Sequence, residues 1–232
     1  MPPDIGKDLP MVPVYLRLSI TNRCDLRCGY CQPEAAPAEP GGRPPPTADE
    51  LLSMVALLAS QAPVRKVRIT GGEPLLLPWL PLLVGRLRRL LPHATLALTT
   101  NGMRLGDLAV ELRGQGLDRV NISLDAAEEA AFQRVAGRPG LDRVLAGISA
   151  AQRAGFNGIK LNTVMLRGLN GDQLVKICRL AATLRVEPRF IELMPLGAGG
   201  AMHPEQYLGS EEALALLMNE LQHVRHLGRE GA

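Results

Sequence analysis

The feature that most constrains the fold is a regular alternation of short apolar runs with longer, helix-like stretches. The apolar runs are rich in β-branched residues, and the stretches between them carry leucine and alanine at helical spacing, several behind polar caps such as Thr47 or Asp172. This alternation predicts parallel strands joined by right-handed crossovers. The predicted strands are Val14–Ile20, Lys66–Thr70, Thr95–Thr99, Arg119–Leu124, Gly158–Met165 and Arg189–Leu193. The predicted helices are Ala48–Gln61, Leu80–Leu91, Leu105–Gln115, Leu141–Ala154, Asp172–Leu184 and Glu211–Leu221.

The number of predicted strands favours an α/β fold, specifically a partial (β/α)6 TIM-like barrel, because a closed barrel of this type has eight strands. We expect the barrel core to span residues 1–196 and a short helical tail to span residues 197–232. In such barrels the reacting groups lie at the carboxyl ends of the strands. Unusual polar segments do follow the predicted strands here: Thr21–Cys31, Gly71–Pro74, Thr99–Gly102, Ser123–Asp125 and Met194–Pro195.

Composition excludes several classes of protein. The net charge of +3 is too small to indicate nucleic-acid binding. Met1–Pro10 carries charges and prolines without an apolar core, so we expect no signal peptide. Leu75–Gly85 is short and is interrupted by Pro78 and Pro81, so we expect no membrane span. With unpaired thiols and no secretion signal, the chain is predicted to be cytoplasmic.

Three cysteines form the run Cys24-x3-Cys28-x2-Cys31 directly after the first predicted strand. Three thiolates can hold three irons of a [4Fe–4S] cluster, whereas a full protein set is four. The fourth iron would then be open to a small molecule. Pro33–Pro46, which follows the run, contains six prolines and is predicted to be a loop, either a lid or a plain linker.

Two other uses of the cysteines are possible in principle. A disulfide framework is disfavoured, because the only other cysteine is Cys178, far away in sequence. Zinc is the alternative metal, but a structural zinc site needs a fourth ligand from a second knuckle. His223 and His226 are the only paired histidines, and most such pairs are simply solvated. Zinc therefore stays the alternative at this point, and only together with the motifs described below does the run favour an iron–sulfur cluster. We expect Cys178 to be a buried structural thiol.

A second motif, Gly71-Gly72-Glu73-Pro74, follows the second predicted strand. Glycine pairs often mark only a tight turn, but they also let a backbone approach a ligand closely. The cysteine run with Tyr30 before its last cysteine, followed by this motif, resembles the radical S-adenosylmethionine (SAM) superfamily. The resemblance implies that the three cysteines bind one [4Fe–4S] cluster and that SAM binds its open iron. The reduced cluster of that family cleaves SAM to a 5′-deoxyadenosyl radical, which takes a hydrogen atom from the substrate.

Further motifs are similar to those of the GTP 3′,8-cyclase (MoaA) family, which begins molybdenum cofactor biosynthesis. The resemblance covers roughly residues 10–195 and implies a radical SAM lyase with an electron donor and GTP as substrate. The matching segments are Arg17–Cys24, Arg68–Pro74, Leu98–Gly102, Asn121–Asp125, Lys160–Asn162 and Arg189–Met194. The implied SAM contacts are Tyr30, Gly72, Ser123 and Met194. The implied GTP contacts are Arg17, Arg68, Thr99 and Lys160.

The residue types agree with these roles to different degrees. A triphosphate requires several cations, and arginine adds orientation because it makes bidentate contacts with phosphate. For Thr99 a strand hydroxyl bonded to local backbone is the alternative role. Met194 is equally compatible with core packing, and Ser123 and Asp125 with capping the following helix.

The chain departs from the cyclase family after Cys178, since it carries no second three-cysteine set. We therefore expect a single cluster. Three hypotheses follow: a GTP cyclase-like enzyme, shortened or completed by a partner protein; a single-cluster radical SAM enzyme on another anionic substrate; or a non-catalytic protein that binds SAM or a cluster. Retention of every barrel motif favours an enzyme.

Overall fold

The computed structural model describes residues 12–31, 46–195, 200 and 204–221. The predicted loop Pro33–Pro46 lies, apart from its last residue, outside the described residues, as do His223 and His226. The described part forms one sheet of six strands that are all parallel and follow one another in sequence order. With helices between successive strands, this confirms the predicted partial (β/α)6 barrel. No helix among the described residues is long and apolar enough to cross a membrane.

All six predicted strands are present, with bounds that shift by at most two residues at each end. The largest shifts are at the starts of the second, fifth and sixth strands. The observed strands are β1 Val14–Ser19, β2 Val64–Thr70, β3 Thr95–Thr100, β4 Arg119–Ser123, β5 Lys160–Met165 and β6 Glu187–Glu192.

The helices agree with the sequence pattern except at two places. The pattern missed α4, although its apolar residues recur at helical spacing before the left-handed Gly137. Asp172 does not cap a helix, because it lies within a 3-10 turn, Gly171–Gln173, that precedes α6. Thr47 caps α1 as predicted and forms a capping box with Glu50. The observed helices are α1 Ala48–Gln61, α2 Leu80–Leu90, α3 Leu105–Gly114, α4 Glu129–Ala136, α5 Leu141–Arg153, α6 Leu174–Leu184 and α7 Ser210–Glu220.

The two faces of the sheet differ in chemistry because alternate side chains of a strand point to opposite sides. One face carries aliphatic side chains that pack against the helices and form the core. The opposite, concave face carries mostly polar and charged side chains. The fully or almost fully buried strand residues of the helix-facing side include Val67, Ile69, Leu96, Leu98, Val120, Ile122 and Leu161.

The helix α7 packs against α6 and β6. Its start is fixed by Glu192 of β6, which accepts hydrogen bonds from the Tyr207 hydroxyl (2.9 Å) and the Ser210 backbone N–H (2.7 Å). The predicted boundary between a core of residues 1–196 and a tail of residues 197–232 stays a prediction. The contacts of α7 and the residues before it form a small apolar cluster of Met165, Leu174, Leu208, Ala213 and Leu217.

Candidate functional site

The loop after β1 carries the three thiols predicted to bind a cluster. Cys24 and Cys28 are half-buried, Cys31 is exposed, and none of them forms a disulfide. The Cys31 N–H donates to the Cys28 carbonyl at 2.9 Å, so these two residues share one turn. The Arg27 N–H donates to the carbonyl of Ala136 at 2.9 Å. The end of α4 therefore supports one side of the loop that we call the cysteine loop, residues 21–31.

The turn after β2 supports the other side of the cysteine loop. The N–H groups of Gly72 and Glu73 donate to the carbonyls of Thr21 and Arg23, each at 2.7 Å. A Cβ atom at residue 72 would lie only 2.2 Å from the Arg23 oxygen, and Gly71 adopts a φ of +146°. Glycine is thus required by close backbone approach at one position and by conformation at the other.

Glu73 is almost completely buried and connects the turns after β2 and β3. Its Oε1 accepts hydrogen bonds from the Leu75 N–H and the Thr100 hydroxyl, both at 2.8 Å, and its Oε2 accepts from the Asn101 N–H at 2.6 Å. Burial raises the pKa of this carboxyl to about 7, and the three hydrogen bonds oppose the rise. Glu73 therefore holds the turns after β2 and β3 together next to the cysteine loop.

The raised pKa of Glu73 predicts a pH-dependent stability of the metal-free protein. The folded state binds the proton of the Glu73 carboxyl more tightly than the unfolded chain does, so protonation of Glu73 contributes to the free energy of unfolding. This contribution is complete below about pH 4.5 and is lost as pH rises to about 7. Relative to Glu73→Gln, the free energy of unfolding should fall by on the order of 3 kcal/mol across this window. Denaturant titrations at several pH values measure it. The control variant Glu111→Gln changes an exposed residue, and its free energy of unfolding should depend on pH as that of the wild type does. The same pH dependence in Glu73→Gln would contradict the raised pKa of Glu73.

Tyr30 and Asp125 join the cysteine loop to the end of β4. The Tyr30 hydroxyl donates to Asp125 Oδ2 at 2.7 Å, and the Val164 N–H donates to Oδ1 at 2.8 Å. Burial raises the pKa of Asp125 to about 6, and burial also raises the pKa of Tyr30 well above its ordinary value. Asp125 does not cap the following helix, whose N-cap residue is Glu128. It anchors the aromatic residue of the cysteine run instead.

The three thiols suit a cluster in which each thiolate binds a different iron. Burial, followed by the charge of Asp125, raises the pKa of the Cys28 thiol to about 12, and burial raises the pKa of Cys24 and Cys31 as well. Bound cations would reverse this preference for the protonated form. Among the described residues no three His, Cys, Asp or Glu side chains converge on one ion. Thiolates of a cluster need no such convergence, because each binds a different iron.

The concave face carries a group of six basic residues that we call the cationic patch. Arg17 and Arg68 lie side by side in register on β1 and β2. Burial lowers the pKa of Arg68, and the neighbouring charges of Arg17 and Arg189 lower it further. In the described part of the chain, Glu187 is the one acid paired with the patch; it bonds Lys160 at 3.1 Å and Arg189 at 2.8 Å. The patch consists of Arg17, Lys66, Arg68, Arg119, Lys160 and Arg189.

An excess of positive charge on a concave surface favours an anionic ligand. Burial lowers the pKa of Lys66, with further effects from Arg68, Arg119, Lys160 and Arg189, so Lys66 lies within electrostatic range of each of these four cations. Arg17 is exposed and Arg68 is half-buried. Sequence reasoning missed Lys66, Arg119 and Arg189. Alternation along β2 from Arg68 places Lys66 on the same face, whereas Arg119 and Arg189 are placed there only by the register of β4 and β6 with their neighbours.

The remaining predicted contacts differ in how the structure places them. The hydroxyl oxygen of Thr99 on β3 is buried without a hydrogen-bond partner among the described residues, which is unusual unless a ligand supplies one. Ser123 ends β4 and is half-buried, whereas Met194 follows β6 and is 61% exposed, so it is not core packing. Cys178 is half-buried against the apolar cluster near α7, which agrees with a structural role.

Comparison with known sequences places the whole arrangement in context. The sequence model of the radical SAM superfamily matches residues 18–181. The GTP 3′,8-cyclase of Rhodopirellula baltica is 43% identical over 93% of this chain and 60% of its own length. That of Heliobacterium modesticaldum is 41% identical over 89% of this chain and 63% of its own length. Molybdenum cofactor biosynthesis protein 1 of Bos taurus is 37% identical over 93% of this chain and 34% of its own length. The chain thus spans less than two thirds of these relatives.

Solved structures agree on the fold. SuiB of Streptococcus suis bound to S-adenosylmethionine has a TM-score of 0.63 at 19% identity and covers 77% of this chain and 40% of its own. Coproporphyrinogen III oxidase (HemN) of Escherichia coli, described as a radical SAM enzyme, has a TM-score of 0.61 at 14% identity and covers 91% of this chain and 52% of its own. At these identities the likeness concerns the fold alone.

Proposed function

This chain belongs to the radical SAM superfamily, and we propose that it is a radical SAM enzyme of the GTP 3′,8-cyclase type, which cleaves SAM and takes hydrogen from GTP in molybdenum cofactor biosynthesis. The observation that carries the proposal is the presence of the cysteine loop and the cationic patch on one partial barrel. The loop provides the ligands of a radical generator, and the patch provides the charge that a triphosphate requires.

We assign the cofactor site to residues at the carboxyl ends of the strands. Cys24, Cys28 and Cys31 would hold three irons of a [4Fe–4S] cluster. When bound, the reduced cluster supplies one electron for the cleavage of SAM. The residues that would hold SAM are Tyr30, Gly72, Ser123 and Met194. Tyr30 is already oriented by its bond to Asp125, so little ordering of that side chain remains for binding.

The substrate site is assigned to the concave face. Arg17 and Arg68 are unpaired within the described residues and lie in register, so both are available to phosphate oxygens. The buried hydroxyl of Thr99 would gain a partner from the same ligand. Lys160 would have to share its charge between GTP and Glu187. An electron donor, a partner protein for the rest of the cyclase site, and a cytoplasmic location complete the proposal.

Anaerobic reconstitution tests the radical generator separately from the substrate. The protein should bind about four iron and about four sulfide ions per chain and release 5′-deoxyadenosine from SAM under reducing conditions. About eight of each would contradict the single cluster. A complete cluster without 5′-deoxyadenosine would favour a non-catalytic SAM- or cluster-binding protein.

Substitution of Arg68 should weaken GTP binding. Arg68→Ala removes one half of the in-register arginine pair, and a lost hydrogen bond to a charged group raises the Kd roughly 10- to 100-fold. Equilibrium dialysis with GTP measures the Kd. The control is Arg65→Ala on the same strand, because alternation points this exposed side chain to the other face. Equal Kd values for the two variants would place the GTP site elsewhere.

A further inference from the structure

The side chain of Asn101, in the turn after β3, has a defined orientation. Asn101 is 7% exposed, and its Oδ1 accepts a hydrogen bond from the Met103 N–H at 3.0 Å. A side-chain amide that uses its oxygen in this way directs both N–H groups to the opposite side. Those two N–H groups point at the cysteine loop.

Both N–H groups find acceptors there. Asn101 Nδ2 donates to Asp25 Oδ1 at 2.7 Å and to Cys24 Sγ at 3.8 Å. The Leu26 backbone N–H also donates to Cys24 Sγ, at 3.4 Å. Cys24 is therefore a thiol that already has two N–H donors around its sulfur.

The backbone of Asn101 is fixed from behind. Its N–H donates to the buried carboxylate of Glu73 at 2.6 Å, and the adjacent Thr100 hydroxyl donates to the same carboxylate at 2.8 Å. The turns after β1, β2 and β3 are thereby joined through one glutamate and one asparagine. Because the turn is held, the direction of the Asn101 amide is set before any cofactor binds.

We propose that Asn101 is a positioning residue that directs an N–H group at the Cys24 sulfur and raises the reduction potential of the cluster bound there. An N–H dipole aimed at a ligand sulfur stabilises the additional negative charge of the reduced cluster, so reduction becomes easier. The inference rests on the proposed role of Cys24 as a ligand and concerns how that ligand is tuned.

A double variant that exchanges the side chains of Asn101 and Asp25 separates an effect on the reduction potential from a loss of structural support. The double variant Asn101→Asp with Asp25→Asn keeps one carboxylate and one amide, and it keeps the bond between residues 25 and 101 with the donor reversed. It also keeps an acceptor for the Met103 N–H, but it removes the N–H group at Cys24. We expect a full iron content and a lower midpoint potential in a spectroelectrochemical titration, to which the carboxylate moved towards the Cys24 sulfur also contributes. The single variant Asn101→Ser removes the amide N–H group without moving a charge, and its hydroxyl can still accept from the Met103 N–H. We expect this variant to show a smaller decrease that reports the N–H group alone. A full cluster with the wild-type potential would overturn the inference.

A buried asparagine outside the cysteine loop provides the matched control. Asn170 accepts from the Leu166 N–H through Oδ1 and donates through Nδ2 to the carbonyls of Asp125 and Val164. Asn170→Asp should destabilise the fold without lowering the potential. An equal decrease in both variants would indicate general loosening and overturn the inference.

A measurement on the wild-type protein covers the case in which the double variant fails to assemble. If 15N is introduced only in asparagine side-chain amides, pulsed EPR should detect a magnetic coupling between the reduced cluster and 15N. The coupling should persist in Asn22→Gln, which removes the asparagine of the cysteine loop itself. Absence of the coupling would overturn the inference. Wild-type protein that binds no cluster would overturn the proposed function itself, whereas an intact cluster without the coupling would overturn the tuning role alone.

Discussion

Cys24→Ala is expected to abolish both the cluster and the cleavage of SAM. The three thiols lie on one short loop, and the described residues offer no other group of metal-binding side chains that could take over. Two thiolates leave the cluster without one of its three protein ligands. Bound iron should fall from about four per chain to near zero, and 5′-deoxyadenosine should fall below detection. Iron and sulfide analysis with chromatography of the nucleoside measures both.

The matched control is Cys178→Ala. This cysteine is also half-buried, but it packs against the apolar cluster near α7, away from the cysteine loop. The variant should keep its full cluster and lose only a little stability through the missing packing. If Cys24→Ala retained a full cluster, or if Cys178→Ala lost it, the ligand assignment would be wrong.

Gly72→Ala should be nearly as damaging, although it changes no ligand. The added Cβ would lie 2.2 Å from the carbonyl oxygen and 2.6 Å from the carbonyl carbon of Arg23, so backbone rather than a flexible side chain must move. The movement separates the Gly71–Pro74 turn from the cysteine loop and strains the hydrogen bond from the Glu73 N–H to the Arg23 carbonyl. We expect the free energy of unfolding to fall by roughly 3 kcal/mol and most of the iron to be lost.

Gly106→Ala in α3 is the control for this change, because the same methyl group meets nothing within 4 Å there. Denaturant titration of the metal-free proteins and iron analysis after reconstitution compare the two. Gly106→Ala should behave as wild type or be slightly more stable, since alanine favours a helix. A Gly72→Ala protein with wild-type stability and iron content would show that close approach of the two turns is unimportant.

Much of the fold could be predicted from sequence because its signals are local. The β-branched runs of β1 to β6 alternate with amphipathic helices, and the bounds predicted from them agree closely with the structure. The helix α4 was not predicted; it is short and lies with α5 in the connection between β4 and β5. Its end at Gly137 and its buried Ala131, Phe132, Val135 and Ala136 carried a usable signal.

The site was predictable only where chemistry is visible in the residue type. Cysteines, paired glycines and arginines within strands indicate a function at a single position. Asp125 and Asn101 gain their roles from distant partners: Tyr30 is 95 residues from Asp125, and Asp25 is 76 residues from Asn101. No local pattern records such contacts. Likewise Glu187, which pairs with two residues of the cationic patch, is recognisable only once β5 and β6 are placed in register.

The transfer of deuterium from GTP to 5′-deoxyadenosine distinguishes a GTP 3′,8-cyclase from a radical SAM enzyme that acts on another substrate. Reconstituted protein would be reduced with SAM and GTP labelled at the ribose 3′ position, and the 5′-deoxyadenosine would be analysed by mass spectrometry. We expect deuterium in the nucleoside, and we expect Arg68→Ala to reduce the transfer more than Arg65→Ala. Abundant 5′-deoxyadenosine without deuterium, at saturating GTP, would contradict hydrogen abstraction from GTP by this chain and favour another anionic substrate.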